Sequence, residues 1–176
     1  MGAYNTGNGI LHGFIYDGVN YTTFDHPNTT SYTAIHSISG NKIVGGYEDT
    51  SGIMHGFIFD GINYHVLNDP TPNTWFTTAT GISGQNVVGY AISTIDHSNK
   101  SHGYLFDGTN YETLLYPGSS STGVMGIEGN KIVGSYRGDD GNIHGFLASP
   151  VPIPAAVWLL GSGLLGLIGL RRKFKK

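Results

Sequence analysis

A chain of 176 residues with 28 glycines, 11 tyrosines and only 12% charged residues suits a single β-rich domain with many tight turns and argues against a helical bundle. Cysteine is absent, which excludes disulfides and thiolate metal sites and leaves the redox compartment unreadable from thiols. The formal charge of -3 hides an asymmetry: five of the nine basic residues lie in the last six positions, so residues 1–150 set four basic residues against all twelve acids, a balance of -8 that repels a phosphate backbone and excludes nucleic acid as a partner.

From its first residue the chain repeats itself. "MGAYNTGNGILHGFIYDGVNY", "GNKIVGGYEDTSGIMHGFIFDGINY", "GQNVVGYAISTIDHSNKSHGYLFDGTNY" and "GNKIVGSYRGDDGNIHGFLAS" are one pattern, with Met1, Val44, Val88 and Val133 at matching positions, 43, 44 and 45 residues apart. A period in the forties marks supersecondary units that bury their faces against neighbours. The units run over about 1–43, 44–87 and 88–132, with a partial unit at 133–148, and together form a β-repeat domain over 1–148.

Within a unit, Asn41 to Tyr47, His55 to Phe59, Asn63 to Leu67 and Phe76 to Ile82 read as four strands of one sheet. Asp17, Asp60 and Asp107, each followed by glycine, supply the positive-φ step of a tight hairpin. Neither face of the second strand is plainly polar, so both faces are expected to pack. Gly13, Gly56, Gly103 and Gly145 permit close backbone approach there. The expected fold is all-β: tandem four-stranded repeats, propeller-like and incomplete as they stand, because three and a half units fall short of the four to eight that propellers use. A threefold β-trefoil is the alternative. No export signal precedes the first strand, so the chain reads as the C-terminal part of a longer frame whose earlier repeats complete the propeller, the rival being a native short form.

Candidate chemistry is sparse. His12, His55, His102 and His144 recur at one repeat position; four such ligands suggest a metal site, but a residue repeated in every unit is better read as satisfying a hydrogen bond within its own sheet. Glu48, Asp49, Asp96, Asp139 and Asp140 are oxygen donors suited to calcium, although none sits in a spaced calcium loop and solvated turn acids are the plainer reading. No cofactor other than calcium is suggested. Trp75 offers an indole for stacking a sugar, or a plug between sheets, and the plug is favoured. The loop from Val88 to His102 is longer than that from Val44 to His55, as at binding faces of repeat proteins. No nucleophile elbow, zinc helix or phosphate loop is present, so no catalytic residue is assigned.

The C-terminus changes character. Residues 149–154 are proline-rich and residues 151–170 carry no charge. Because Pro152 and Pro154 break helix, a transmembrane helix is expected over 155–170, followed by a basic tail at 171–176. Arg171, Arg172 and Lys173 act as the stop-transfer group, holding that end in the cytoplasm and placing the body across the inner membrane. Gly161, Gly163, Gly166 and Gly169 thin one helix face, and Ser162 with Gly166 would admit a partner helix. A buried core helix is the competing reading.

Val151, Pro152, Ile153, Pro154 and Ala155, followed by a Gly/Leu-rich span and an Arg-rich end, resemble the PEP-CTERM sorting signal of Gram-negative bacteria in its VPLPA-type variant, with Ile153 where glutamate is usual. The His-Gly-Phe, Ile-Val-Gly and Asp-Gly steps of residues 1–148 resemble the HAF family of extracellular repeats. These resemblances imply an exosortase as partner, a transient inner-membrane anchor, and display on the cell surface or in a polysaccharide matrix, with matrix polysaccharide or surface proteins as further partners. A noncatalytic role follows; an extracellular carbohydrate-active enzyme and a simple membrane-anchored structural protein are the alternatives.

Overall fold

A computed structural model describes residues 1–29, 31–94 and 100–149, all of it strand, turn and loop with no helix among them. The sorting motif, the expected membrane helix, the basic tail and Asp96 lie outside the described residues. No helix among the described residues is long and apolar enough to cross a membrane.

Among the described residues, fourteen strands form four antiparallel meanders, the middle two joined as one eight-stranded sheet. The first sheet contains β1 (Gly2–Asn5), β2 (Leu11–Tyr16) and β3 (Tyr21–Phe24). The second contains β4 (Thr33–Ser39), β5 (Lys42–Glu48), β6 (Met54–Phe59) and β7 (Tyr64–Leu67). The third contains β8 (Thr74–Ser83), β9 (Asn86–Ser93), β10 (Lys100–Phe106) and β11 (Tyr111–Leu114). The fourth contains β12 (Ser121–Glu128), β13 (Lys131–Arg137) and β14 (Ile143–Ala148). A single parallel bridge between Met54 and Phe76 joins the second and third sheets at one corner.

The expected strands are present within one or two residues, but one is assigned to a different sheet. Phe76 to Ile82, read as closing the unit that holds residues 41–67, belongs to β8 and opens the next meander by pairing with β9. The reason is loop length: Gly84 and Gln85 alone connect β8 to β9, which forces a hairpin, whereas residues 68–73 let the chain cross from β7 to a new sheet.

The hairpins β2–β3, β6–β7 and β10–β11 share one construction. The aspartate N–H donates to the carbonyl of the asparagine three residues on, and its Oδ1 accepts the N–H groups of the two residues after the glycine: Val19 and Asn20, Ile62 and Asn63, Thr109 and Asn110. Gly18, Gly61 and Gly108 have φ between 100° and 104°, where a side chain would be strained. Those donated bonds favour the charged carboxylates; Asp60, which His65 also contacts, is held down at about 2.

A β-bulge falls at one position in three sheets, at His36, Thr80 and Met125. The bulge re-aims a side chain out of its own ladder. His36 Nδ1 donates to the Ala79 carbonyl at 2.8 Å, and Thr80 Oγ1 donates to the Val124 carbonyl at 2.7 Å. The first strand of the second sheet is thereby tied to that of the third, and that of the third to that of the fourth, each about one repeat on. Between the second and third sheets lie Val44, Leu67, Ala79, Ile82 and Val87. Against the first sheet, Ile35, Ile43, Tyr47 and Phe57 pack with Ile15, Phe24, Phe59 and Tyr64. Each fully buried valine, leucine, isoleucine or phenylalanine among them contributes roughly 1.5–3 kcal/mol. Val44 and Val88 are fully buried, whereas Val133, at the same repeat position in the fourth sheet, is 46% exposed.

Candidate functional site

The four recurrent histidines do not converge. His12 Nδ1 donates to Asp25 at 2.7 Å. His55 lies 2.6 Å from Asn68 Oδ1 through Nδ1 and 3.0 Å from Asp49 through Nε2. His102 Nε2 contacts Asp69 at 3.0 Å and Thr71 at 3.2 Å, and His144 Nε2 contacts Asp140 at 3.1 Å. Each histidine is thus engaged with a side chain close to its own strand's ends or to the crossing loop beside it. Burial by itself would raise Asp69, but the bonds from His102 and Thr71 outweigh it and hold the carboxyl below its usual range.

The acids proposed for calcium are separated in the same way. Asp49 accepts from the Ser51 and Ile53 N–H groups as well as facing His55, whose bond is the main cause of its lowered pKa. Asp140 is held low chiefly by the Asn142 side chain, with further bonds from the Asn142 N–H and His144. Glu48 and Asp49 lie at the end of the second sheet's β5, whereas Asp139 and Asp140 follow β13 in the fourth. No group of three His, Cys, Asp or Glu arranged to hold a metal occurs among the described residues. Trp75, at the start of β8, is 36% exposed and packs edge-on against Phe76 at 5.8 Å.

Two arrangements were not foreseen. The first is a set of buried threonines, Thr33, Thr77 and Thr122, whose Oγ1 atoms accept the backbone N–H of His26, Asp69 and Tyr116 respectively. His26 then stacks on Tyr47 with ring centroids 3.5 Å apart, much as Tyr116 stacks on Tyr136 at 3.6 Å. His26 accepts the Asn28 N–H through Nδ1, and its buried Nε2 has no partner among the described residues. Burial first, then the nearby His55, depresses its pKa to about 4. An unfolded chain protonates this histidine near the ordinary imidazole value of 6.5, so stability is full above that pH, falls as pH drops towards about 4, and levels off below. We expect urea midpoints to decline across that window in the wild-type chain and to decline much less in His26→Phe, which keeps the ring stack; an equal decline in both would assign the effect elsewhere.

The second is a cleft of about 260 Å³ between the third and fourth sheets, with both polar and apolar walls. At each junction the residue before the recurrent histidine meets a residue at or near the start of the next sheet's first strand. At the first junction Leu11 bridges Tyr32, and at the second Met54 bridges Phe76. At the third, the two positions are Ser101 and Ser121, joined hydroxyl to hydroxyl. Gly46, which packs on Thr78 in the second junction, is replaced by Tyr90, with Gly123 in place of Thr78. The glycine-to-tyrosine exchange is compensated, whereas loss of the Met/Phe pair is not, and a cleft opens in which Tyr90, Ser101, Ser121, Ser135, Tyr136 and Arg137 share the lining with Gly123, Met125 and Ile143. Aligning the repeats around Met54 and Phe76 is the signal that would have found it.

No protein-family model, curated protein or solved structure matches this chain, so the fold and the cleft stand on their own geometry.

Proposed function

We propose that this chain is an exported, noncatalytic β-repeat protein of the cell surface or exopolysaccharide matrix, with its sheets stacked like propeller blades and its C-terminus serving as an exosortase-read sorting tag. The observation that carries the address is the order of chemistry along residues 149–176: a Pro-Ile-Pro step, an uncharged apolar run, then five basic residues in the last six positions. The side-by-side first strands, tied by bonds about one repeat apart, support the blade-like arrangement. The noncatalytic reading draws on the recurrent histidines, each committed to a partner of its own instead of a shared centre.

The test is intact mass and fractionation of the chain, carrying an added export signal, in a host with and without the exosortase. Loss of the residues after Pro154 only when the enzyme is present, with product outside the inner membrane, is the expected result. A full-length product retained in the inner membrane in both hosts would instead make the tail a simple anchor.

A further inference from the structure

Twelve acids crowd residues 1–150, yet no carboxylate among the described residues lines the cleft between the third and fourth sheets, and one of that region's four basic residues, Arg137, does. Arg137 Nη1 donates to the Gly141 carbonyl at 2.7 Å, which fixes the guanidinium at the mouth while leaving other N–H groups to face a ligand. Ser101, Ser121 and Ser135 add hydroxyls that both donate and accept, and Tyr90 and Tyr136 add amphipathic rings. The Tyr136 ring is held by the parallel Tyr116 ring at 3.6 Å and by the His144 ring at 5.2 Å. At about 260 Å³ the cleft is below the roughly 300 Å³ at which drug-sized pockets begin, a size suited to one sugar ring.

We infer that this cleft binds a carboxylated sugar residue, a uronate, with Arg137 pairing its carboxylate and the serine hydroxyls exchanging hydrogen bonds with its ring hydroxyls. A carboxylate fits the planar donor fork of arginine better than a neutral hydroxyl does. Serine hydroxyls recognise a polyol, and the apolar part of the lining, the tyrosine rings with Met125 and Ile143, accepts the C–H face of a pyranose. Neutral sugars lack the first contact, and small inorganic anions lack the other two. The cleft is independent of the address proposed above: it belongs to the folded body, and its ligand is tested on the chain wherever that chain resides.

The experiment is calorimetric titration of the full 176-residue chain in detergent micelles with glucuronate, galacturonate and mannuronate, and with glucose as the neutral control. Saturable binding of at least one uronate, about tenfold tighter than glucose, is expected, and Arg137→Gln should remove that tenfold preference. The double change Ser101→Met with Ser121→Phe restores the apolar pair of the preceding junction and should abolish uronate binding without lowering the denaturation midpoint. Should that double variant fail to fold, Arg137→Gln alone decides. No uronate binding, glucose bound as tightly as every uronate, or unchanged uronate affinity in Arg137→Gln or in the folded double variant would each overturn the assignment.

Discussion

Phe57→Ala should destabilise the domain by about 3–5 kcal/mol, a large share of the 5–15 kcal/mol that holds an ordinary domain together. Phe57 has no exposed surface. Its ring centroid lies 5.7 Å from that of His26, 5.9 Å from Tyr64 and 6.3 Å from Phe24, so it joins residues of the first and second sheets in one aromatic cluster. Truncation removes the transfer energy of the ring and leaves a void that rings anchored on separate segments cannot collapse to fill. Phe146 occupies the same repeat position in the fourth sheet but is only half-buried, and Phe146→Ala should cost about half as much because water fills the space. Urea denaturation of the two variants side by side checks this; equal losses would mean that the repeat position, not the packing around it, sets the energy.

Gly89→Ala should be nearly as damaging, at about 3 kcal/mol, by the opposite route of overpacking. A methyl group at Gly89 would run into the Thr78 carbonyl oxygen and would approach the Tyr104 ring carbon at 2.8 Å and its hydroxyl at 2.7 Å. Neither neighbour can yield. The carbonyl belongs to the β8–β9 ladder, and Tyr104 is fully buried with its hydroxyl donating to that same Thr78 carbonyl at 3.1 Å. Gly45 and Gly134 repeat the arrangement, each beneath an aromatic ring, Phe57 and Phe146. The control is Gly123→Ala, where the added methyl would meet only the flexible end of Met125, at 3.4 Å. A melting midpoint for Gly89→Ala within a degree or two of that control would refute the close-packing account.

Much of this fold was legible because its local signals are strong. Asp60-Gly61 fixes a turn closed by backbone and Oδ1 hydrogen bonds that reach no further than Asn63, and the alternating apolar residues of 41–47 and 55–59 fix two strands beside it. What was not legible was partnership. Phe76 to Ile82 reads the same whether it closes one sheet or opens the next, and only the difference between a two-residue loop and a six-residue crossing decides it. The all-β class stands; the transmembrane helix expected over 155–170 lies beyond the described residues. Around the candidate sites the same limit applied. The recurrence of His12, His55, His102 and His144 was plain, but their partners come from differing offsets: thirteen residues after His12 and His55, six before His55, four before His144 and thirty-three before His102. The cleft was harder still, because serine at 101 and 121 carries meaning only once those two positions are known to face each other across a junction.

The bulge ladder has a consequence for how such a chain changes over generations. His36 holds the Ala79 carbonyl and Thr80 holds the Val124 carbonyl, so each joint is made between corresponding points of adjoining sheets and owes nothing to sheets further away. Duplication or excision of one whole period therefore recreates the same joint at the new seam, whereas gain or loss of half a period leaves a bulge without its acceptor and a sheet without its hairpin. Unequal recombination in whole periods is then a nearly silent event for folding, and the number of sheets becomes a dimension along which the reach of the molecule can drift while the chemistry at any single junction, such as that between Ser101 and Ser121, evolves on its own.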